Sequence, residues 1–263
     1  MQSLDLALIQ SQLHWHQIDA NLAMFEEKIW KIGKPVDLIV LPEMFNTGFT
    51  MEVKPLAEVL NSKTTRWMSQ MAKQTKAVVT GSFIVNQEGR FYNRLLWMKP
   101  DGNYQIYDKR HLFRMANEHH YFADGEKLLI TELKGWKICP LICYDLRFPA
   151  WSRNINNEST NFSYDVLLYV ANWPAPRVTA WDILLKARAV ENLCYSIGLN
   201  RVGEDGNGIS YVGHSVVVDP KGEVIKDLGE VEGIHTITLD PEPLKKYREK
   251  FPAHLDADQF KLL

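Results

Sequence analysis

Leu4-Asp-Leu-Ala-Leu-Ile-Gln10, then the run 19–33 in which Leu22, Phe25, Ile29 and Ile32 recur up to Gly33, then Leu38-Ile-Val-Leu41, form the stretch whose reading sets the architecture. The first segment reads as a strand. The second reads as a helix capped by Asp19, and the third as a short strand that is apolar throughout. Strand, helix and strand in that order build a sheet with parallel neighbours and a covering helix. The order returns later, with strand 166–170, helix 178–192 and strand 194–199, so the chain has a two-fold plan. Residues 95–99 and 104–108 flank Pro100, Asp101 and Gly102, while 216–219 and 223–225 flank Pro220, Lys221 and Gly222, two hairpins with similar turns. Segments 77–85, 128–133 and 137–143 are further strands, apolar enough to need cover from another layer. Strands outnumber helices by about two to one, which favours an α/β sandwich of two face-to-face sheets with outer helices over one doubly wound sheet. Periodicity alone leaves that choice open.

The chain has 263 residues, 46% hydrophobic and 24% charged, and 30 Lys+Arg against 32 Asp+Glu leave a net charge of -2. At this length it buries enough surface to fold without disulfide or metal staples. Nucleic acid and anionic membranes are excluded as partners, because the two charge signs alternate and no basic patch is legible. Twelve prolines and fifteen glycines are scattered singly and no linker interrupts the chain, so residues 1–263 are expected to form one domain. Three cysteines, Cys139, Cys143 and Cys194, are too few and too oddly numbered for a disulfide framework. Asp5 stands where a signal peptide would carry Lys or Arg, so the expected location is the cytoplasm, with reduced thiols. No apolar run approaches the roughly 20 residues of a membrane-spanning helix.

Catalytic side chains in α/β architectures cluster where a strand ends and the chain turns. Three such ends carry reactive groups. Cys143 closes the apolar run 137–143 and opens the polar turn Tyr144-Asp-Leu-Arg-Phe-Pro149; Glu43 follows 38–42; Lys109 ends the strand 104–108. Cys139 and Cys194 read as small hydrophobes, and without a second cysteine pair or a histidine cluster zinc is not expected. A thiol is only a few per cent thiolate at neutral pH, so a nucleophilic cysteine needs a base or a cation beside it. Glu43 supplies the base and Lys109 the cation, which would also stabilise an oxyanion. A Cys/His pair competes, with His111, His119, His120 and His214 as its material.

Leu41-Pro-Glu43, Asp108-Lys-Arg-His-Leu112 and Leu141-Ile-Cys-Tyr-Asp-Leu-Arg-Phe-Pro149 resemble, in order and spacing, the three signature blocks of the nitrilase (carbon-nitrogen hydrolase) superfamily. The likeness continues through Ala187-Arg-Ala-Val-Glu-Asn192 and Gly213-His-Ser-Val-Val-Val-Asp-Pro220, and so covers nearly the whole chain. Met44-Phe-Asn-Thr-Gly-Phe-Thr-Met51 and Ala171-Asn-Trp-Pro174 resemble the omega-amidase branch, which acts on the side amides of 2-oxoglutaramate and 2-oxosuccinamate.

The resemblance implies a four-layer α-β-β-α sandwich, a homodimer, and a site that uses neither metal nor cofactor. Carried over, Cys143 is the nucleophile, Glu43 the base and later acid, and Lys109 the oxyanion stabiliser, helped by the Tyr144 backbone N–H. The family's second glutamate falls on Glu118, with Glu126 as the alternative. The substrate implied is a small amide bearing a carboxylate, attacked with water as co-substrate. For that carboxylate Arg177 stands first and Arg114 and Arg147 behind it, Arg147 being read as a structural partner of Asp145. Phe45, Tyr121, Trp173 and Tyr211 are candidates for the pocket wall. Two other readings stay open: an amidase for deaminated glutathione or an N-carbamoyl amine, and an interaction protein on an inactive scaffold.

Overall fold

A computed structural model describes residues 1–154 and 162–258. The first unit is β1 (Leu4–Gln10), α1 (Ile18–Trp30) and β2 (Leu38–Val40). The short α2 (Val53–Leu56) and then α3 (Lys63–Thr75) lead into β3 (Val78–Gln87), β4 (Arg90–Met98) and β5 (Tyr104–Asp108). The second half opens with β6 (Thr131–Leu133) and β7 (Trp136–Ile142) and repeats the unit as β8 (Val166–Ala171), α4 (Val178–Asn192) and β9 (Tyr195–Asn200). A small ribbon of β10 (Val202–Glu204) and β11 (Ser210–Val212) follows. Next come β12 (Val216–Val218), β13 (Val224–Asp227), β14 (Gly233–Leu239) and α5 (Pro241–Lys250).

Two six-stranded sheets result, ordered β14-β1-β2-β3-β4-β5 and β13-β12-β9-β8-β7-β6. Each has three parallel strands at its centre, β1 to β3 in one and β7 to β9 in the other, with antiparallel strands outside them. The two-fold plan read from the sequence is therefore present in the topology.

β1 shows how the layers are built. Leu4, Leu6 and Leu8 join one apolar cluster with Ile138, Leu168 and Leu199 of the other sheet, while Ala7 and Ile9 join a second with Phe25 of α1 and Met68 and Met71 of α3. A strand buried on both faces needs this continuous apolar run, since successive side chains point to opposite sides. On the far side, Trp181, Leu185 and Ala189 of α4 and Leu244 of α5 close the second sheet. Each large side chain so buried contributes about 1.5–3 kcal/mol.

The sequence reading needs three corrections. Asp19 does not cap α1: the helix starts at Ile18, Gln17 occupies the cap position without a side-chain bond, and Asp19 turns outward to meet Lys63 of α3 at 2.8 Å. Asn21 does the local tying instead, accepting from the His14 N–H at 2.8 Å and donating to the Asn46 carbonyl at 2.9 Å. The strand expected over 128–133 shrinks to β6. Finally, α3, β14 and α5 were not anticipated. β14 pairs residue for residue with β1 from the other end of the chain, a partnership that local periodicity does not reveal.

Gly198 of β9 lies under α4, where an added Cβ would stand 2.4 Å from Leu185 Cδ1 and 2.7 Å from Trp181 Cζ2. Gly198→Ala is expected to cost about 1–3 kcal/mol of stability through overpacking. A urea titration will read this as a lower midpoint at unchanged slope.

Candidate active site

The ends of both sheets supply this site. β2 runs out into Glu43, β5 into Lys109, β7 into Cys143 and β8 into Asn172 and Trp173. The first two come from one sheet and the others from its partner, so the site sits on the seam between them.

Glu43 is fully buried, and its carboxylate is held from both sides. Oε1 accepts from Asn93 Nδ2 of β4 at 2.8 Å and from Lys109 Nζ at 2.9 Å, while Oε2 accepts the Asn172 backbone N–H at 2.8 Å. Lys109 also donates to both oxygens of Glu118, each at 3.0 Å. Glu118, in the short helical turn Glu118–His120, is itself buried and accepts the Phe113 N–H at 2.5 Å. Glu126 is exposed, so Glu118 is the second carboxylate on the lysine. Lys109 is locked by its backbone as well, donating to the Asn93 carbonyl at 3.0 Å and accepting from the Gly125 N–H at 2.9 Å.

These charges set one another's titration. Burial alone would pull the Lys109 ammonium down, but Glu118 and Glu43 outweigh it and leave its pKa raised. Burial raises Glu118, as does the Glu43 charge, while Lys109 opposes both. Cys143 is pushed well up, first by burial and then by the charge of Glu43; Lys109 offsets part of this, and the thiol's hydrogen bond to Glu43 adds to it. The resting sulfur is therefore protonated, with Glu43 the carboxylate that weighs most on it.

Cys143 has φ of 45° and opens the short helical turn Cys143–Arg147. Left-handed backbone at a non-glycine residue costs energy that its surroundings must return. Asp145 returns it. Fully buried, it accepts at Oδ2 from the Tyr107 hydroxyl (2.7 Å) and the Ile142 N–H (3.1 Å), and at Oδ1 from the His111 N–H (3.0 Å) and Nδ1 (2.8 Å). One carboxylate thus ties the residue before the thiol to the strand and loop that flank Lys109.

A cavity of about 300 Å³ opens over Cys143 and Lys109, walled largely by Phe49, Phe113, Trp173, Pro174, Ile209 and Tyr211. Tyr144, Trp173, Tyr211 and Arg177 are among the residues that line it. Phe45 does not: its ring packs against Phe25, Trp67 and Phe83 in the core under α1 and α3, in a turn whose Phe45 N–H is bound to the Ser82 carbonyl of β3. Tyr121 is exposed and away from the cavity, and Arg114 lines a neighbouring cleft with His119. Arg147 also departs from expectation. Asp145 is already filled by Tyr107, His111 and Ile142, and Arg147 turns into the cavity over the Trp173 ring. No histidine lines the cavity: His111 is bound to Asp145, and His214 to Asp182 and Glu230. The Cys/His alternative therefore has no geometry behind it.

Asn93 and Tyr107 escaped the sequence reading, their only signal being polarity within a strand; Asn172 and Asp145 stand inside motifs quoted above, but no role was read for them. Asp145→Asn replaces two acceptor oxygens by one and turns an N–H₂ toward a donor, which should cost about 1–3 kcal/mol. Calorimetry is expected to show a melting temperature several degrees lower.

The whole chain can be compared with known proteins. The carbon-nitrogen hydrolase family model matches residues 5–249. The omega-amidase YafV of Escherichia coli strain K12 is 46% identical over the full length of both chains. The 2-oxoglutaramate amidase of Bacillus subtilis is 33% identical over 95% of this chain and 96% of its own. Among solved structures, XC1258 from Xanthomonas campestris, a CN-hydrolase superfamily protein with an arsenic adduct in its active site, superposes over both full lengths with a TM-score of 0.97 at 42% identity. With a sandwich of two six-stranded sheets and a matching sequence along almost its entire length, the chain belongs to the carbon-nitrogen hydrolase family.

Proposed function

We propose that this chain is an omega-amidase that hydrolyses the side-chain amide of 2-oxoglutaramate or 2-oxosuccinamate to the 2-oxo acid and ammonia through a thioester on Cys143. The observation that carries this reading is a thiol and an ammonium lining one small cavity on the seam between the sheets, with the buried Glu43 carboxylate bound to that ammonium behind them. Similarity to an omega-amidase and a 2-oxoglutaramate amidase supports the substrate class.

In the first half-reaction Glu43 takes the Cys143 proton as sulfur attacks the amide carbonyl, forming the S–C bond and an oxyanion. A neutral resting thiol makes this a concerted need: no thiolate is stored, so the base must act as the bond forms. Lys109 and the Tyr144 N–H, at the start of its helical turn, stabilise the oxyanion. The C–N bond then breaks, and the nitrogen leaves as ammonia with the proton from Glu43. In the second half Glu43 takes a proton from water, hydroxide adds to the thioester carbonyl, the C–S bond breaks, and the proton returns to sulfur. Glu118 is a positioning residue, holding Lys109 between two carboxylates. Arg177 receives the substrate carboxylate, and Trp173 walls the site.

The reading includes one catalytic domain over residues 1–263, at work in the cytoplasm, and a homodimer, for which Ile183 and Val190 on the exposed side of α4 offer apolar surface.

Cys143→Ala should fold and release no ammonia from 2-oxoglutaramate in a coupled assay; release at the parent rate would refute the assignment. Glu43→Gln is expected to lower turnover by roughly 10²–10⁴-fold. It should also lower the pH midpoint of Cys143 alkylation, because the negative charge that keeps the proton on sulfur is gone while Lys109 remains. A midpoint that stays or rises would remove Glu43 from the role of base.

A further inference from the structure

The cavity holds two cations that no carboxylate neutralises. Arg147 and Arg177 both line it, and among the described residues neither is in an ion pair. The Arg147 guanidinium lies 5.1 Å from the centre of the Trp173 ring, and that of Arg177 5.3 Å from the centre of the Phe113 ring, with its Nη2 at 3.2 Å from Met115 Sδ. Trp173 joins the pair, since its indole N–H donates to the Arg177 carbonyl at 2.8 Å. The other cations nearby are engaged or turned away: Lys109 on Glu43 and Glu118, Arg110 on Asp124, Arg114 on the adjoining cleft. Among the described residues no aspartate or glutamate lines the cavity.

An aromatic face fixes a guanidinium without cancelling its charge, so the planar fork stays open to a planar anion. Arg147 has a further property. It lies on the same short helical turn as Cys143, and with a rise of about 2 Å per residue in such a turn, rigid backbone sets its spacing from sulfur. Arg177 comes from the separate turn Ala175–Arg177 after β8.

Resting on the amidase reading above, we infer that Arg147 is a specificity-determining residue. With Arg177 it takes the carboxylate end of a short monoamide whose amide carbonyl sits on Cys143, and the pair excludes amides that carry an α-ammonium group. A carboxylate and a neighbouring 2-oxo group present several acceptor oxygens to two forks of donors. An ammonium at the same carbon would stand beside two guanidiniums with no acid to pair it, a like-charge arrangement that selects against amino-acid amides such as glutamine.

The test compares alkylation of Cys143 by iodoacetate and by iodoacetamide in the parent enzyme, Arg147→Ala, Arg147→Gln, Arg147→Lys and Arg177→Ala, with peptide mass mapping of the label. The ratio of the two rates reads the preference for an anion beside the sulfur and does not depend on turnover. Arg147→Ala and Arg147→Gln are expected to lower that ratio about 10-fold or more, the size of a lost charge-assisted bond, and Arg147→Lys to lower it less. KM for 2-oxoglutaramate should rise more than kcat falls, and the parent should prefer 2-oxoglutaramate to glutamine. A ratio that neither variant changes, or a loss equal for both reagents, overturns the proposal. A parent enzyme with the expected ratios that releases no ammonia from 2-oxoglutaramate supports the anion site and overturns the omega-amidase reading instead.

Discussion

One ammonium standing between two buried carboxylates is the arrangement around which the rest of the site is organised. Glu43, Lys109 and Glu118 are all buried, and one cation cannot neutralise two anions. Removing charges from water costs several kcal/mol per ion even after relaxation, about what a buried pair regains only when every remaining lone pair is filled. Here the filling donors are Asn93 on β4, the Asn172 N–H after β8, and the Phe113 N–H in the loop after β5. They come from both sheets and from the loop above them. The charge cluster is therefore complete only in the docked sandwich, and closing the fold and assembling the site are one event.

The strain at Cys143 belongs to the same design. A cysteine at a strand end must leave the strand direction sharply to present its sulfur to a cavity, and here the residue does so with a left-handed backbone. Such a conformation costs about 1–3 kcal/mol and persists where neighbours over-determine it. Asp145 binds the Ile142 N–H on one side and reaches Tyr107 and His111 on the other. Farther along, Arg188 of α4 donates to the Leu146 carbonyl at 2.5 Å, so the outer helix also holds the turn. Sulfur and ammonium are thus fixed relative to each other through backbone on both sides.

How much of this could be read from the sequence follows from the range of each interaction. The repeated strand-helix-strand order announced itself because helical and strand periods are local, and the three strand ends with reactive side chains stood out for the same reason. β14 lay hidden because its partner β1 is at the other end of the chain. Asp145 sat inside a quoted motif, yet its role depends on Tyr107 and His111, more than thirty residues earlier. Arg147 was misread because sequence adjacency to Asp145 suggested a pair, whereas the carboxylate had better-placed donors. Phe45 failed because it lies in the turn after β2, whose path periodicity does not give: its N–H binds the Ser82 carbonyl of β3 and its ring enters the core, while Phe49, four residues on, reaches the cavity.

The two ends of the cavity use charge differently. At the sulfur end the three donors of Lys109 are spent on three carboxylate oxygens, so the resting ammonium offers little to an arriving anion. At the other end two guanidiniums rest on rings and keep their attraction. On the reading proposed above, a molecule carrying both a carboxylate and an amide would be oriented before any chemistry begins, its charge drawn away from the sulfur and its neutral end left beside it. In the proposed reaction Glu43, on accepting the thiol proton, would lose its negative charge and its hold on Lys109, freeing the ammonium to turn to the oxyanion as it forms. In a cavity with so apolar a lining, where electrostatic interactions are weakly screened, this exchange of partners would couple proton transfer to carbonyl attack.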